Sequence, residues 1–146
     1  MQPFVYKMLI LVSALMSIAF IRVDENWIVE KHKGYNLVFT SADKDQTKDY
    51  NKLVEEGIKA VRSFFESNYK NPFDIYIHPN RRSLDSTWQN DWKMPEFKSE
   101  CWMVASGVAE RLDMLSPQLW NKEACEHRYA DKKKTQQLIT HELVHV

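Results

Sequence analysis

The sequence predicts an α+β domain with a small mixed β-sheet, a long amphipathic helix and a further helix at the C-terminus. Short segments with the alternation typical of strands recur along the chain. Apolar residues at helical spacing mark one long helix between two of these segments. Strands and helices follow no regular alternating unit, which favours the α+β class over a parallel α/β fold.

Length and composition fit one globular domain and exclude one class of partner. The chain has 146 residues, of which 44% are hydrophobic, enough to form a core without metals or disulfides as the main support. Its 20 acidic and 20 basic residues balance. Nucleic-acid-binding domains usually carry an excess of basic residues, so we expect no nucleic-acid partner.

The N-terminus has the features of a secretory signal. Residues 8–21 form an uncharged apolar run, shorter than the roughly 20 residues of a membrane span, and Ser17 and Ala19 are suitably small for a cleavage site. We expect a signal peptide over residues 1–21 and therefore a secreted or extracytoplasmic protein. The alternative is that this segment stays uncleaved as a membrane anchor, which would then be the only contact of the protein with a membrane. Residues 22–34 then form an N-terminal segment, and the domain covers residues 35–146.

The first strand and the long helix have the clearest patterns. Tyr35–Thr40 is expected to be a strand, and Ser41 or Asp43 is placed to cap the helix that follows. The helix should run for about six turns before Asn71-Pro72 stops the chain from continuing it. Its apolar face comprises Tyr50, Leu53, Val54, Gly57, Ile58, Val61, Phe64, Phe65 and Tyr69.

The middle of the chain predicts a strand, a helix and a pair of strands. Phe73–His78 alternates as a strand does, and Arg81–Trp92 has apolar residues at intervals of four. Residues 101–105 and 108–115 are expected to be strands joined at Ser106-Gly107. Within the second, charged and apolar residues alternate from Arg111 to Leu115, which suits a half-exposed strand at the edge of the sheet.

The last part of the chain predicts a helix after an ambiguous connection. Residues 119–129 fit either a helix or a loop. Asp131 has the side chain of an N-cap, and residues 132–146 are expected to form a helix, although three lysines in its first turn oppose the helix dipole.

Cys101 and Cys125 are the two cysteines of the chain. An even number of cysteines in an exported protein favours a disulfide, which for a loop of this size would contribute about 3 kcal/mol. Two free thiols buried in the core remain the alternative.

The candidate metal-binding and catalytic residues of the sequence lie in the motif His141-Glu142-Leu143-Val144-His145. Residues four apart project from one face of a helix, so both imidazoles can bind one Zn²⁺ ion. Glu142 occupies the adjacent angular position, from which its carboxylate can accept a proton from a water that zinc acidifies. The pattern therefore predicts a zinc cofactor and a hydrolytic site on the helix.

The residues flanking this motif support a metal site in a dry environment, because Leu138, Ile139 and Val146 are apolar and no charge or proline intrudes. Two other interpretations stay open. The histidines could be the solvated residues of an ordinary amphipathic helix. A closed structural zinc site could instead combine the pair with two upstream residues, in the set Cys125, His127, His141 and His145.

Residues 138–146 (LITHELVHV) resemble the active-site helix of the gluzincin zinc metallopeptidases, in particular the peptidase MA-like domains of exported bacterial proteins. Residues 107–117 and the order of elements over residues 35–146 are similar to the family in layout. The resemblance implies that His141 and His145 bind zinc and that Glu142 is the general base. It also implies that the expected edge strand pairs with an extended peptide or protein substrate, with Arg111, Leu112, Asp113 and Met114 as substrate-binding residues.

The sequence departs from the family at its end. Gluzincins take their third zinc ligand, a glutamate, from a later helix, whereas this sequence ends one residue after His145. We therefore expect a C-terminally truncated metallopeptidase domain that is inactive as written. The alternative is a non-catalytic exported domain that binds or supports other molecules while keeping the layout of a peptidase.

Overall fold

The computed structural model describes residues 26–146, and these residues form the α+β fold that the sequence predicts, with one five-stranded mixed sheet. The elements are β1 (Ile28–Lys31), β2 (Tyr35–Phe39), α1 (Thr47–Phe65), β3 (Phe73–His78), α2 (Arg81–Trp92), β4 (Ala105–Val108), β5 (Arg111–Leu115), α3 (Trp120–Glu123) and α4 (Lys132–Val144). Short 3₁₀ turns cover Ser41–Gln46 and Pro117–Leu119.

The sheet has the strand order β1-β2-β3-β5-β4. The central strands β2, β3 and β5 are parallel, and the outer strands β1 and β4 pair antiparallel with β2 and β5. The N-terminal segment over residues 22–34 thus contains a strand, β1, that the sequence analysis did not predict. Because β1 and β4 each have one neighbour, they are the two edges of the sheet.

Helices α1 and α4 pack against each other, and a glycine permits their close approach. A Cβ atom on Gly57 of α1 would lie 2.7 Å from the Leu143 side chain of α4. The predicted apolar face of α1 is confirmed for Val54, Ile58 and Val61, which are buried in the core. Phe64 and Phe65 at its end are exposed, contrary to the prediction that they face the core.

The predicted N-terminal cap of α1 is wrong. The helix begins after Gln46 without a side-chain cap. Asp43 is fully buried instead, and its Oδ1 accepts hydrogen bonds from the Tyr50 hydroxyl at 2.8 Å and the Ser116 hydroxyl at 2.7 Å. Burial and the neighbouring Asp43 carboxylate raise the pKa of Tyr50. The Asp43 carboxylate therefore joins the start of α1 to the end of β5.

The hairpin between β4 and β5 differs from the prediction in register and position. Its turn lies at Ala109-Glu110, where Ala109 has a positive φ of 52°, and Ser106-Gly107 lies inside β4. Strand β5 is not an edge, because it lies between β3 and β4. Its alternation of charged and apolar residues reflects a polar network buried on one face of the sheet, rather than exposure to solvent.

The connection over residues 119–129 contains the short helix α3 followed by a loop. Cys101 and Cys125 form a disulfide that joins this loop to the segment before β4. Arg81, at the start of α2, donates hydrogen bonds to the carbonyl oxygens of Met103 at 2.9 Å and Glu123 at 2.9 Å. The disulfide and this guanidinium thus hold the same two segments together.

The predicted signal peptide, residues 1–21, lies outside the described residues. Between residues 26 and 146, the structure contains no helix with the length and apolar character needed to cross a bilayer.

Candidate metal centre

Helix α4 places the motif residues, and local interactions define both of its ends. Asp131 caps the helix as predicted, because its side chain accepts a hydrogen bond from the Lys134 amide at 3.1 Å. The regular helix ends at Val144, two residues before the predicted end. His145 nevertheless keeps helical dihedrals, with φ −90° and ψ −7°. It therefore stays on the same face of the helix as His141.

The two imidazoles converge. Their Nε2 atoms lie 3.4 Å apart, and the ring planes are inclined at 79°. Two nitrogens at this separation, each about 2.0–2.1 Å from a shared zinc ion, would subtend about 110° at the metal, close to the tetrahedral angle. Both side chains are exposed, so the predicted dry environment of the site is wrong for the described residues. The separation of the two nitrogens is therefore compatible with two corners of a tetrahedral zinc site.

Glu142 lies against the edge strand β4. It is 9% exposed, and its Oε2 accepts a hydrogen bond from the Gly107 amide at 2.8 Å. A Cβ atom on Gly107 would lie 2.1 Å from the Glu142 carbonyl oxygen and 3.2 Å from His145 Cβ. Only glycine allows β4 and α4 to approach this closely, so Gly107 is a site residue that the sequence analysis did not identify.

Burial raises the pKa of the Glu142 carboxyl, and the Gly107 amide, His141 and His145 oppose this rise only in part. The metal-free native state therefore binds the Glu142 proton more tightly than the unfolded chain does. The tighter proton binding stabilises the native state when the pH is below the pKa that Glu142 has in the unfolded chain. This stabilisation is lost as the pH rises through the pKa that Glu142 has in the native state.

Replacing Glu142 by glutamine is thus expected to stabilise the metal-free protein increasingly as the pH rises from about 4, the usual range of a glutamate pKa. Urea unfolding of both proteins in EDTA across this range measures the difference. A difference in unfolding free energy that is independent of pH would contradict the assignment.

Within residues 26–146, no group of three or more histidine, cysteine, aspartate or glutamate side chains is arranged to hold a metal. The alternative four-ligand site is wrong for this structure. The Cys125 sulfur is bonded to Cys101, and the Nε2 of His127 lies 3.1 Å from the Trp102 carbonyl oxygen. Of the four histidine and cysteine side chains in this alternative, the structure brings His141 and His145 together.

The predicted substrate-binding strand is also wrong. Both edges of β5 are paired, so its backbone cannot bind a peptide. Leu112, Asp113 and Met114 are buried, and Arg111 contacts Asp113 and Asp91. The free edge beside the motif belongs to β4, which carries Gly107.

A polar network on β3 and β5 was not recognised in the sequence. The His78 ring lies between Asp113 Oδ1, 2.8 Å from its Nε2, and Ser83 Oγ, 2.9 Å from its Nδ1. Arg111 Nε donates to the other Asp113 oxygen at 2.7 Å. His78 and Asp113 are buried. Because His78 of β3 lies 35 residues from Asp113 of β5, no local pattern marks the two as neighbours.

An apolar groove of about 490 Å³ adjoins the motif where α4 ends. It lies between the end of α1 and the end of α4, and the Tyr69 hydroxyl donates a hydrogen bond to the Leu143 carbonyl oxygen at 2.8 Å within it. Exposed apolar side chains border it. Its apolar lining comprises Val61, Phe65, Tyr69, Phe73, Leu143, Val144 and Val146.

The comparisons with known proteins assign no relative: the chain matches no family model, and neither a curated protein nor a solved structure is detectably similar to it.

Proposed function

We propose that residues 138–146 form the active-site helix of a zinc-dependent peptidase. The observation that carries the proposal is the convergence of the His141 and His145 Nε2 atoms at 3.4 Å, with the Glu142 carboxylate beside them. The resemblance of these residues to the gluzincin motif gives the reaction class. The disulfide between Cys101 and Cys125 is compatible with the predicted export of the protein.

Each residue of the motif has a separate role in this proposal. His141 and His145 hold the metal, which when bound polarises a carbonyl group and acidifies water. Glu142 accepts the proton of the attacking water, and the Gly107 amide holds its carboxylate in place. The edge strand β4 can bind an extended peptide substrate through those backbone groups that Glu142 does not occupy.

Two histidines alone are an incomplete catalytic site, since catalytic zinc usually has three protein ligands. A third ligand must come from outside the described residues. For the 146-residue chain we therefore expect weak zinc binding and negligible hydrolysis.

A zinc titration of the purified chain by calorimetry tests the metal pair. His141→Ala should abolish binding, whereas the matched control His127→Ala, which removes a histidine bonded to a loop carbonyl, should leave it unchanged. Zinc binding that survives His141→Ala would remove the basis of the proposal.

Hydrolysis requires a separate test with a longer product of the same gene, in which a glutamate on a following helix would supply the third ligand. That product should cleave peptides, and Glu142→Gln should stop turnover while zinc stays bound. A gene that encodes no further ligand, together with an inactive protein, would favour the non-catalytic alternative.

A further inference from the structure

We propose that Ser83, His78 and Asp113 form a second, metal-independent site, which hydrolyses carboxylic esters by acyl transfer to Ser83. The His78 Nδ1 atom lies 2.9 Å from Ser83 Oγ, and the His78 Nε2 atom lies 2.8 Å from Asp113 Oδ1. A hydroxyl, an imidazole and a carboxylate that are hydrogen-bonded in this order activate a serine for attack on a carbonyl carbon. The inference uses neither the metal pair nor the proposed peptidase activity.

The hydrogen bonds of Asp113 determine which nitrogen of His78 can accept a proton. The Asp113 oxygen that does not contact His78 accepts a hydrogen bond from Arg111 Nε at 2.7 Å. A carboxylate paired with a guanidinium accepts hydrogen bonds and does not donate them, so the His78 Nε2 atom donates to Asp113. In the neutral imidazole, the Nδ1 atom then carries the lone pair and accepts the Ser83 hydroxyl. This is the tautomer in which His78 can remove the proton from Ser83.

The exposure of the three side chains suits their separate roles. Ser83 is half-buried, whereas His78 is 1% exposed and Asp113 is 3% exposed. The nucleophile is therefore the most accessible of the three, with the base and the carboxylate behind it. The rings of Trp27 and Tyr76 lie against the His78 ring, with centroids 5.5 Å and 6.2 Å from its own. These contacts and the hydrogen bonds to both nitrogens fix the orientation of the imidazole, as a preorganised site requires.

The fold places the three residues where open sheets usually bind ligands. His78 is the last residue of β3, which is parallel to β5, and in such sheets ligands bind outside the carboxyl ends of the strands. Ser83 is the third residue of α2, whose N-cap is Asn80. The positive end of the α2 dipole thus lies beside the nucleophile. It stabilises the negative charge that develops on the carbonyl oxygen during the attack.

The reaction proceeds in two steps. In the first, Ser83 Oγ attacks the carbonyl carbon of the ester while His78 Nδ1 takes the hydroxyl proton, and His78 returns this proton to the alcohol oxygen as its bond to carbon breaks. The alcohol leaves and the acyl group stays on Ser83. In the second, water attacks the acyl carbon, His78 takes a proton from the water and transfers it to Ser83 Oγ, and the carboxylic acid leaves. Asp113 acts through His78 and is a positioning residue.

A serine-directed fluorophosphonate tests the nucleophile, because an activated serine displaces its fluoride and forms a phosphonate ester. The 146-residue chain in EDTA should carry the adduct on Ser83 and not on Ser86, which is exposed on the same helix. In EDTA the chain should also hydrolyse para-nitrophenyl acetate. Ser83→Ala should reduce this hydrolysis to the rate without protein, whereas the matched control Ser86→Ala should leave it unchanged. No adduct on Ser83, or unchanged hydrolysis by Ser83→Ala, would overturn the proposal.

The presence of EDTA separates these results from tests of the peptidase, which needs a metal. Activity in EDTA that depends on Ser83 would support the ester-hydrolysing site even if the metal pair binds no zinc. Zinc binding by His141 and His145 without such activity would reject this site and leave the metal pair intact.

Cysteine variants distinguish a catalytic hydrogen bond from a structural one. The thiol of Ser83→Cys should react with iodoacetamide about tenfold faster than that of Ser86→Cys, although it is less exposed, because His78 accepts its proton. Adding Asp113→Asn to Ser83→Cys should slow this alkylation, since the new amide group can donate to Nε2 and favour the tautomer with a protonated Nδ1. Equal alkylation rates of the two single variants would show that the Ser83–His78 bond serves the fold alone.

Discussion

Replacing Asp113 by alanine is expected to destabilise the protein by about 1–3 kcal/mol, the usual cost of leaving a buried hydrogen-bonding group without its partner. The Asp113 carboxylate accepts hydrogen bonds or ion-pair contacts on both oxygens, from His78 at 2.8 Å and from Arg111 at 2.7 Å. His78 would remain buried without its partner, and Arg111 would lose its buried contact. Urea denaturation of the purified variant measures the loss.

Asp91→Ala is the matched control for this prediction. Asp91 contacts the same guanidinium from α2, but its side chain is well exposed to solvent. Surface ion pairs contribute about 0–1 kcal/mol, so this variant should be nearly as stable as the parent protein. If Asp113→Ala lowers the free energy of unfolding no more than Asp91→Ala does, the buried hydrogen bonds of Asp113 contribute little to stability.

Replacing Gly107 by valine is expected to destabilise the protein by about 3 kcal/mol, because overpacking between rigid elements costs about 1–3 kcal/mol and valine adds three carbon atoms at this contact. Its Cβ would lie 2.1 Å from the Glu142 carbonyl oxygen, which is a backbone atom and cannot rotate away. Helix α4 must therefore move from β4. The movement would displace Glu142 and His145 together, so zinc binding should be lost as well.

Gly34→Ala separates the steric effect from the general cost of replacing a glycine. Gly34 has a positive φ of 94°, but a Cβ atom added to it would meet no other atom within 4 Å. This variant should lose about 1–2 kcal/mol through backbone strain alone and keep its zinc binding. Zinc binding by Gly107→Val equal to that of the parent chain would show that the contact with β4 does not position the metal pair.

The elements that the sequence predicts best are those whose evidence is local. Helix α2 has the predicted bounds, Arg81–Trp92, and the Asn80 side chain caps it by accepting a hydrogen bond from the Ser83 amide. The predicted N-cap of α4 at Asp131 is also confirmed. Helical spacing and caps depend on residues within one or two turns, which a single sequence shows directly.

The errors concern strands, since the neighbours of a strand are distant in sequence. The alternation in β5 indicated a half-exposed edge, but Asp113 is buried against His78 of β3. Alternation of polar and apolar residues indicates that the two faces of a strand differ in polarity. It does not indicate whether the polar side chains are exposed to solvent or hydrogen-bonded within the protein. The Asp43 carboxylate was misread as a helix cap for a similar reason, because its partner Ser116 lies 73 residues away.

The sequence by itself determined the class of the fold and the convergence of His141 and His145, because both residues share one helix and their relative positions follow from its geometry. Only the tertiary structure decided that the Gly107 amide of β4 binds the Glu142 carboxylate and that β4 is an edge of the sheet. These contacts form where elements distant in sequence pack against each other. The spacing of residues along the chain does not show such contacts.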